Sequence, residues 1–154
     1  LEEPPVERVE RVYSVDEVKN SARIRDKMRR IDLDTITFET GSSDIADDQV
    51  QSLKQVGQAI KAILDKDPGE TFLIEGHTDA VGSDESNLVL SDQRAESVAN
   101  VLSQAFDIPA ENLVTQGYGE RYLKIDTDEA ERANRRVTIR RITPLVRPLE
   151  AAEQ

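Results

Sequence analysis

The stretch TFLIEGHTDAVG, at residues 71–82, decides how this chain folds. Its first five residues place apolar side chains on both faces of an extended segment, as in a central strand that is buried on both sides. The remainder is a loop that holds the only histidine of the chain, His77, and an aspartate two positions later, Asp79. A loop that leaves a central strand and enters a helix is where α/β proteins bind ligands.

Strand and helix patterns alternate on both sides of this stretch. Short segments of alternating polarity predict strands, and apolar side chains at helical spacing predict the helices between them. The predicted elements are a strand at 35–39, a helix at 47–65, the central strand at 71–75, a helix through 95–106, a strand from 113, a short polar helix at 127–133 and a strand at 137–140. This order, β-α-β-α-β-(α)-β, predicts the α/β class: an α+β sandwich in which a small mixed sheet has helices packed on one side.

The two ends of the chain lie outside this alternating pattern. Prolines and alternating charges predict a linker over residues 1–13. Ser14-Val15-Asp16-Glu17 has the pattern of a capping box and predicts a helix over 15–29, whose thin apolar stripe indicates weak docking or docking on a partner. The predicted division is therefore a linker and helix at 1–30, a globular domain at 31–143 and a tail at 144–154.

The composition excludes several classes of function. The chain has 154 residues and a net charge of −11, which argues against nucleic acid as the main partner because phosphate backbones bind basic surfaces. No apolar run approaches about 20 residues, so no membrane-spanning helix is predicted. Cysteine is absent, which excludes disulfides, thiolate metal sites and cysteine nucleophiles. Because the sequence begins at Leu1, we expect it to be part of a longer protein whose export signal or anchor lies upstream.

His77 and Asp79 raise the question of a catalytic or metal site. The serines that could complete a triad are Ser83, Ser86 and Ser91. None of them lies in the Gly-x-Ser-x-Gly pattern of a nucleophile elbow, and no His-Glu-x-x-His or EF-hand spacing occurs. The carboxylates that could hold a weak cation are Asp79, Asp84 and Glu85. A lone histidine at a strand end is more often a hydrogen-bonded core residue, so the sequence favours a protein without catalytic activity.

A binding site is the other interpretation of the same loop. Gly76 and Gly82 let the backbone bend and approach a ligand closely. Asp79 suits an ammonium group, and Arg94, early in the following helix, suits a carboxylate. Together they would recognise a zwitterion, such as an amino-acid head group. The residues alone leave open the alternative that Asp79 and Arg94 pair with each other or cap the helix.

Four motifs, in order along the chain, closely resemble those of the OmpA-like peptidoglycan-binding domain. They are Gly76-His77-Thr78-Asp79 with Gly82, Asn87 with Leu90-Ser91 and Arg94-Ala95, Gly117-Tyr118-Gly119-Glu120, and Asn134-Arg135-Arg136-Val137. The family includes carboxy-terminal domains of porins, the peptidoglycan-associated lipoprotein and flagellar stator proteins. The resemblance covers about residues 31–143.

The resemblance implies a domain that binds the peptide stem of peptidoglycan noncovalently, with diaminopimelate as the main recognition element. It implies that Asp79 and Arg94 are the principal ligand residues and that Thr78, Asn87 and Leu90 line the pocket. The residues expected to support the site are His77, Gly82, Asn134 and Arg136. The family implies no cofactor and no metal.

Two stretches depart from the family pattern. Some relatives place an aromatic residue and an aspartate in the pocket wall, where this chain has Thr40-Gly41-Ser42-Ser43, and Gly41 is the contact expected from it. The Gly-Tyr-Gly-Glu motif is commonly followed closely by proline, whereas here Arg121-Tyr122-Leu123-Lys124 follows, so a differently shaped loop is expected.

The resemblance implies a periplasmic domain that anchors the outer membrane or an envelope complex to the cell wall. The full-length protein would be attached to the outer membrane, while this part would not contact the membrane itself. A second copy of the chain or another envelope protein is the further partner to expect. The alternative function is a protein-interaction scaffold that uses the N-terminal helix and keeps only a vestigial pocket.

Overall fold

One mixed sheet and two long helices form the body of the protein. A computed structural model of the chain describes residues 13–25, 30–31 and 36–143. The helices are α1 (Val15–Asn20), α2 (Ala22–Arg25), α3 (Asp47–Lys66) and α4 (Asp84–Phe106), and the strands are β1 (Arg30–Ile31), β2 (Phe72–Gly76), β3 (Leu113–Gly117) and β4 (Val137–Arg141). The sheet order is β1-β4-β2-β3, with β3 parallel to β2 and β4 antiparallel to β1 and β2. The predicted α/β class with a small mixed sheet is confirmed.

The main core lies between one face of the sheet and helices α3 and α4. Phe72 and Ile74 of β2 point into it, and both are fully buried. The helices contribute side chains at helical spacing, which are Leu53, Val56, Ile60, Ala95, Val98 and Leu102. Burying a large aliphatic or aromatic side chain stabilises the fold by roughly 1.5–3 kcal/mol. This face therefore fixes β2, and with it the loop that follows, against α4.

Two glycines let α4 lie directly against the ends of β2 and β3. Gly76 pairs with Gly117 across the parallel strands. A β-carbon on Gly76 would lie 1.8 Å from the backbone oxygen of Ser91, and one on Gly117 would lie 2.3 Å from the Ser91 hydroxyl. The Ser91 hydroxyl also accepts a hydrogen bond of 2.9 Å from the amide of Gly119. We call Gly76 and Gly117 the glycine slot, because the Ser91 turn of α4 lies directly against both of them.

The opposite face of the sheet is covered by α1 and α2. Leu73, which lies between the two core residues of β2, points to this face and packs with Val18, Ile24 and Ile142. The helices were expected on one side only, which holds for α3 and α4 but not for this short pair. The expectation that the N-terminal helix docks weakly or on a partner is wrong for the described residues, because Val18 is fully buried on the chain's own sheet.

The N-terminal helix is also shorter than predicted. The capping box is present, with the amide of Glu17 donating to the Ser14 hydroxyl at 3.1 Å and the amide of Ser14 donating to the Glu17 carboxylate at 3.0 Å. The helix breaks at Ser21, which adopts an extended conformation between α1 and α2. Residues 26–29 of the predicted helix, the linker at 1–12 and the tail at 144–154 lie outside the described residues.

Two further elements differ from prediction. Of the strand expected at 35–39, residue 35 lies outside the described part, and the rest makes one isolated antiparallel bridge between Thr37 and Arg136. The polar helix expected at 127–133 is a loop that ends in a single 3₁₀ turn, Arg132–Asn134. This segment has no apolar stripe to pack on the sheet, so side-chain bonds fix it instead. Within the ranges that the structure covers, no helix has the length and apolar character needed to cross a membrane.

Candidate functional site

Asp79 lies just beyond the end of β2 and is almost fully buried. Its Oδ2 accepts a hydrogen bond of 2.9 Å from Nη1 of Arg135 and a longer one of 3.4 Å from the amide of Glu131. Its Oδ1 accepts from the amide of Val81 at 3.2 Å. The carboxylate is therefore held in one orientation before any ligand arrives.

Arg94 is fully buried and holds together three segments of backbone. Its Nε donates to the carbonyl of Ser42 at 2.8 Å, Nη1 to that of His77 at 3.1 Å and Nη2 to that of Glu39 at 3.1 Å. Burial lowers the pKa of Arg94 to about 10, while the charge of Asp79 acts in the opposite direction, so the guanidinium stays protonated at neutral pH.

The expected position of Arg94 early in its helix is wrong. Helix α4 begins at Asp84, capped by the Ser83 hydroxyl, so Arg94 lies well inside the helix and reaches the site from its core-facing side. The sequence also left open a direct pair between Asp79 and Arg94, and this pair is not observed among the described residues. The ion-pair partner of Asp79 is Arg135, at 2.9 Å.

One cavity of about 320 Å³ opens beside the Asp79 carboxylate. The sequence-predicted ligand residues that line it are Gly41, Thr78, Asp79, Asn87, Leu90 and Arg94. The cavity also has lining residues that the sequence interpretation did not select, which are Thr40, Val81, Ser86 and Arg135, and it includes Gly82. The structure thus brings the whole predicted ligand set to a single place.

Arg135 is the main site residue that sequence reasoning missed. Its Nε donates to the carbonyl of Phe38 at 2.8 Å, and its Nη1 reaches Asp79. Arg136 was selected from the same motif, but its guanidinium donates to the carbonyl of Tyr122 and lines a different cavity. Successive side chains of an extended segment point to opposite faces. Counting back from β4 could therefore have distinguished the two arginines.

Asn87 and Thr78 use their polar groups differently. The amide nitrogen of Asn87 donates to the carbonyls of Asp79 and Val81, at 3.3 and 3.0 Å, and to the Glu120 carboxylate at 3.0 Å. Asn87 therefore fixes the loop around the cavity. The Thr78 hydroxyl is buried and has no hydrogen-bond partner within the part of the chain described.

The glycines of the cavity wall are required for different reasons. Gly41 and Gly82 have φ values of +70° and +96°, which side-chain-bearing residues rarely adopt. They turn the two loops from which Gly41 and Gly82 line the cavity. Gly76 was expected to serve as a bend, but its role is packing, since α4 leaves no room for a side chain there.

The remaining predicted support residues act from outside the cavity. The imidazole of His77 lies 3.3 Å from the Glu75 carboxylate and stacks on Tyr118, with ring centroids 5.7 Å apart. Burial lowers the pKa of His77 to about 4, so it is neutral at pH 7. Asn134 accepts hydrogen bonds from the amides of Lys124 and Ile125 and so holds the loop after the Gly-Tyr-Gly-Glu motif.

The contacts of His77 and Asp79 do not form a catalytic pair. His77 contacts Glu75, whereas Asp79 contacts Arg135, and the two side chains line different cavities. Within residues 13–25 and 36–143, no group of three or more histidine or acidic side chains is placed to hold a metal ion. The weak cation cluster considered from the sequence is therefore not formed there.

Comparison with known proteins gives a consistent result. The model of the OmpA family matches residues 37–136. Outer membrane porin F of Pseudomonas aeruginosa is 32% identical over 110 residues, which cover 70% of this chain and 30% of the porin. The peptidoglycan-associated lipoprotein of Legionella pneumophila is 42% identical over 72 residues, covering 46% of this chain and 40% of the lipoprotein. The chain thus spans less than half the length of these curated relatives.

Solved structures with the same fold include two that are more than a quarter identical in sequence. The peptidoglycan-associated lipoprotein from Burkholderia pseudomallei has a TM-score of 0.58 and 28% identity, covering 69% of this chain and 86% of that one. The C-terminal domain of Helicobacter pylori MotB has a TM-score of 0.60 and 28% identity, covering 71% and 82%.

Proposed function

Because this chain belongs to the OmpA family, we propose that it binds peptidoglycan noncovalently at the cavity beside Asp79. The main recognition element would be the free amino-acid head group of diaminopimelate in the stem peptide. The observation that carries the proposal is the meeting of the predicted ligand residues in one cavity around a fixed carboxylate. Relatives whose names state peptidoglycan association support the same ligand class.

The charges around the cavity suit a zwitterion. The Asp79 carboxylate can accept hydrogen bonds from an ammonium group, since a carboxylate offers about four lone-pair sites and its protein donors occupy three. Two guanidinium groups, of Arg94 and Arg135, face the same cavity and would attract a carboxylate. Because Arg94 is committed to backbone carbonyls, we propose that Arg135 shares the role first given to Arg94.

The proposed ligand can be tested with two classes of stem peptide. Lysine-type stems lack the carboxylate that the guanidinium groups would hold, so they should bind more weakly than diaminopimelate-type stems. Losing a charge-assisted hydrogen bond costs about 1.5–3 kcal/mol, or roughly ten- to a hundred-fold in affinity. Calorimetry with matched peptides gives the comparison, and equal affinities would refute the diaminopimelate assignment.

We expect the domain to be a tether without catalytic activity. It would act in the periplasm as part of a protein attached to the outer membrane or to an envelope complex, as the named relatives suggest. Purified protein incubated with sacculi should sediment with them and release no soluble muropeptides. Released muropeptides that disappear with His77→Ala would overturn this.

A further inference from the structure

We propose that Arg25, which lies outside the residues matched by the family, is a positioning residue for the peptidoglycan cavity. It would act through Glu75, Tyr118 and His77, so that the α1–α2 segment is part of the working domain and not a passive spacer. This inference rests on the proposed function, and its experiments separate the two.

Arg25 is buried at the junction between α2 and the sheet, with only 2% of its surface exposed. Its Nη1 donates to the carbonyls of Val18 and Lys19, at 3.2 and 2.7 Å, which fixes the side chain against α1. Its guanidinium carbon lies 4.1 Å from the ring centroid of Tyr118. Its Nε lies 3.3 Å from the carboxylate of Glu75. One side chain therefore joins the N-terminal helices to β2 and to the loop that follows β3.

Glu75 is the buried anion on which this junction depends. Nε of Arg140 donates to its Oε2 at 2.5 Å, and His77 reaches its Oε1 at 3.3 Å. Burial alone would raise the pKa of Glu75, but the hydrogen bond from His77 and the charges of Arg140 and Arg25 outweigh it and lower the pKa. Removing one cation from a buried network of this kind is costly, because the remaining charge has left water. Loss of Arg25 should therefore move the side chain of Glu75 and those of the residues that contact it.

The partners of Glu75 and Arg25 lead directly to the ligand cavity. The Tyr118 hydroxyl donates to the carbonyl of Lys19 at 2.6 Å, and the Tyr118 amide donates to the carbonyl of Gly76 at 3.0 Å. The carbonyl of His77 accepts the hydrogen bond from Nη1 of Arg94 at 3.1 Å. The backbone from residue 76 to 79 is thus held from the N-terminal segment on one side and from Arg94 on the other.

A second cavity, of about 610 Å³, opens on the Arg25 side of the sheet. Arg25, Glu75, His77 and Tyr122 line it. Truncating Arg25 would enlarge this space next to the imidazole of His77 and the carboxylate of Glu75. The magnetic resonance signals of the only histidine therefore report directly on whether the junction is intact.

The variants Arg25→Ala and Arg25→Lys test the positioning role. Arg23→Ala is the matched control, because Arg23 is exposed on the same short helix. We expect Arg25→Ala to weaken binding of a diaminopimelate-type stem peptide by roughly 3- to 30-fold under conditions where circular dichroism shows a folded protein. Its His77 imidazole resonances should shift as well, while Arg23→Ala changes neither.

Arg25→Lys should recover part of the affinity. A lysine can still neutralise Glu75, but one ammonium group cannot donate to the carbonyls of α1, lie beside Glu75 and stack on Tyr118 together, as the planar guanidinium does. A purely structural Arg25 would lower the melting temperature of the variants and leave the affinity of the folded protein unchanged, whether or not the His77 resonances shift. That result would overturn the proposal.

Hydrogen exchange on the wild-type chain decides the question even if Arg25→Ala does not fold. Coupling between two sites is reciprocal, so saturating stem peptide should slow the exchange of amides in residues 18–25. Unchanged exchange there would contradict the proposal.

The binding measurements separate this proposal from the proposed function. If the wild-type chain fails to bind the peptide at all, the proposed function fails. If it binds and Arg25→Ala binds equally well, only the role of Arg25 fails.

Discussion

Arg135 donates a hydrogen bond of 2.9 Å to the carboxylate of Asp79, although Asp79 follows the central strand β2 and Arg135 lies just before the last strand, β4. Both side chains are nearly buried, so the pair lies in surroundings that strengthen electrostatic contacts. An ammonium group entering the cavity would meet a carboxylate that is already oriented. Preorganisation of this kind raises affinity by reducing the entropy lost on binding.

Asp79→Asn should abolish most binding to sacculi while the chain remains folded. The amide keeps the size of the carboxylate and one acceptor oxygen for the surrounding donors, but it loses the charge that an ammonium group requires. We expect at least a ten-fold loss of affinity, since a charged hydrogen bond contributes about 1.5–3 kcal/mol. Co-sedimentation with sacculi measures binding, and Glu96→Gln, an exposed change on α4, is the control. Retained binding would contradict the assignment of Asp79.

Arg94→Lys should lower both the free energy of unfolding and the affinity for the ligand. A lysine cannot reach the carbonyls of Glu39, Ser42 and His77 together, so buried acceptors lose their partners. We expect the free energy of unfolding to fall by about 2–4 kcal/mol. Urea denaturation measures it, with the exposed neighbour change Gln93→Ala as the control. Full stability with lost binding would instead indicate that Arg94 acts mainly on the ligand.

The free energy of unfolding should fall as the pH is lowered from 6.5 towards 4. The unfolded imidazole of His77 takes up a proton near pH 6.5, whereas burial delays this in the folded chain until about pH 4. The unfolded state therefore binds more protons in this window, and the loss amounts to roughly 3 kcal/mol. Urea denaturation at several pH values measures it. His77→Gln should flatten this part of the profile, and an unchanged profile would contradict the buried neutral imidazole.

Gly76→Ala should destabilise the chain more than Gly41→Ala. A β-carbon on Gly76 would overlap the backbone oxygen of Ser91, so α4 would have to move, and we expect a loss of about 3 kcal/mol or more. Gly41 has open space around it and only its positive φ opposes a side chain, which costs about 1–2 kcal/mol. Thermal unfolding compares the two. Equal losses would mean that α4 does not lie against β2 as described.

The alternation of strands and helices was predictable because each element has its own hydrophobic period. Helix α3 was predicted at 47–65 and found at Asp47–Lys66, and the predicted strand at 137–140 matches Val137–Arg141. The N-terminal segment was harder to interpret, since α1 has only 6 residues and one of its contacts comes from Arg25, a charged residue. When a helix has few apolar residues, its sequence does not indicate that one of its charged side chains will be buried.

The candidate site was predictable only in part, for a similar reason. Motif positions identified Asp79 and Arg94, and the structure places both beside one cavity. The partner of Asp79 could not be read from spacing, because the choice between Arg135 and Arg136 depends on which way an extended segment faces. The position of Arg94 inside α4 likewise depended on where that helix begins. Side-chain direction was the information missing from the sequence pattern.

The glycine slot has a consequence for anyone who wishes to move this pocket to another scaffold. Gly76 opens the motif that carries Asp79, Gly117 opens the Gly-Tyr-Gly-Glu motif, and both meet the same turn of α4 at Ser91. A graft that copies only the Asp79 loop would place this loop beside a host helix that lies at the usual distance from the strands. An arginine on that helix, in the position of Arg94, would then be too far away to contact the loop. The smallest transferable unit is therefore two parallel strand ends together with the helix that lies against them.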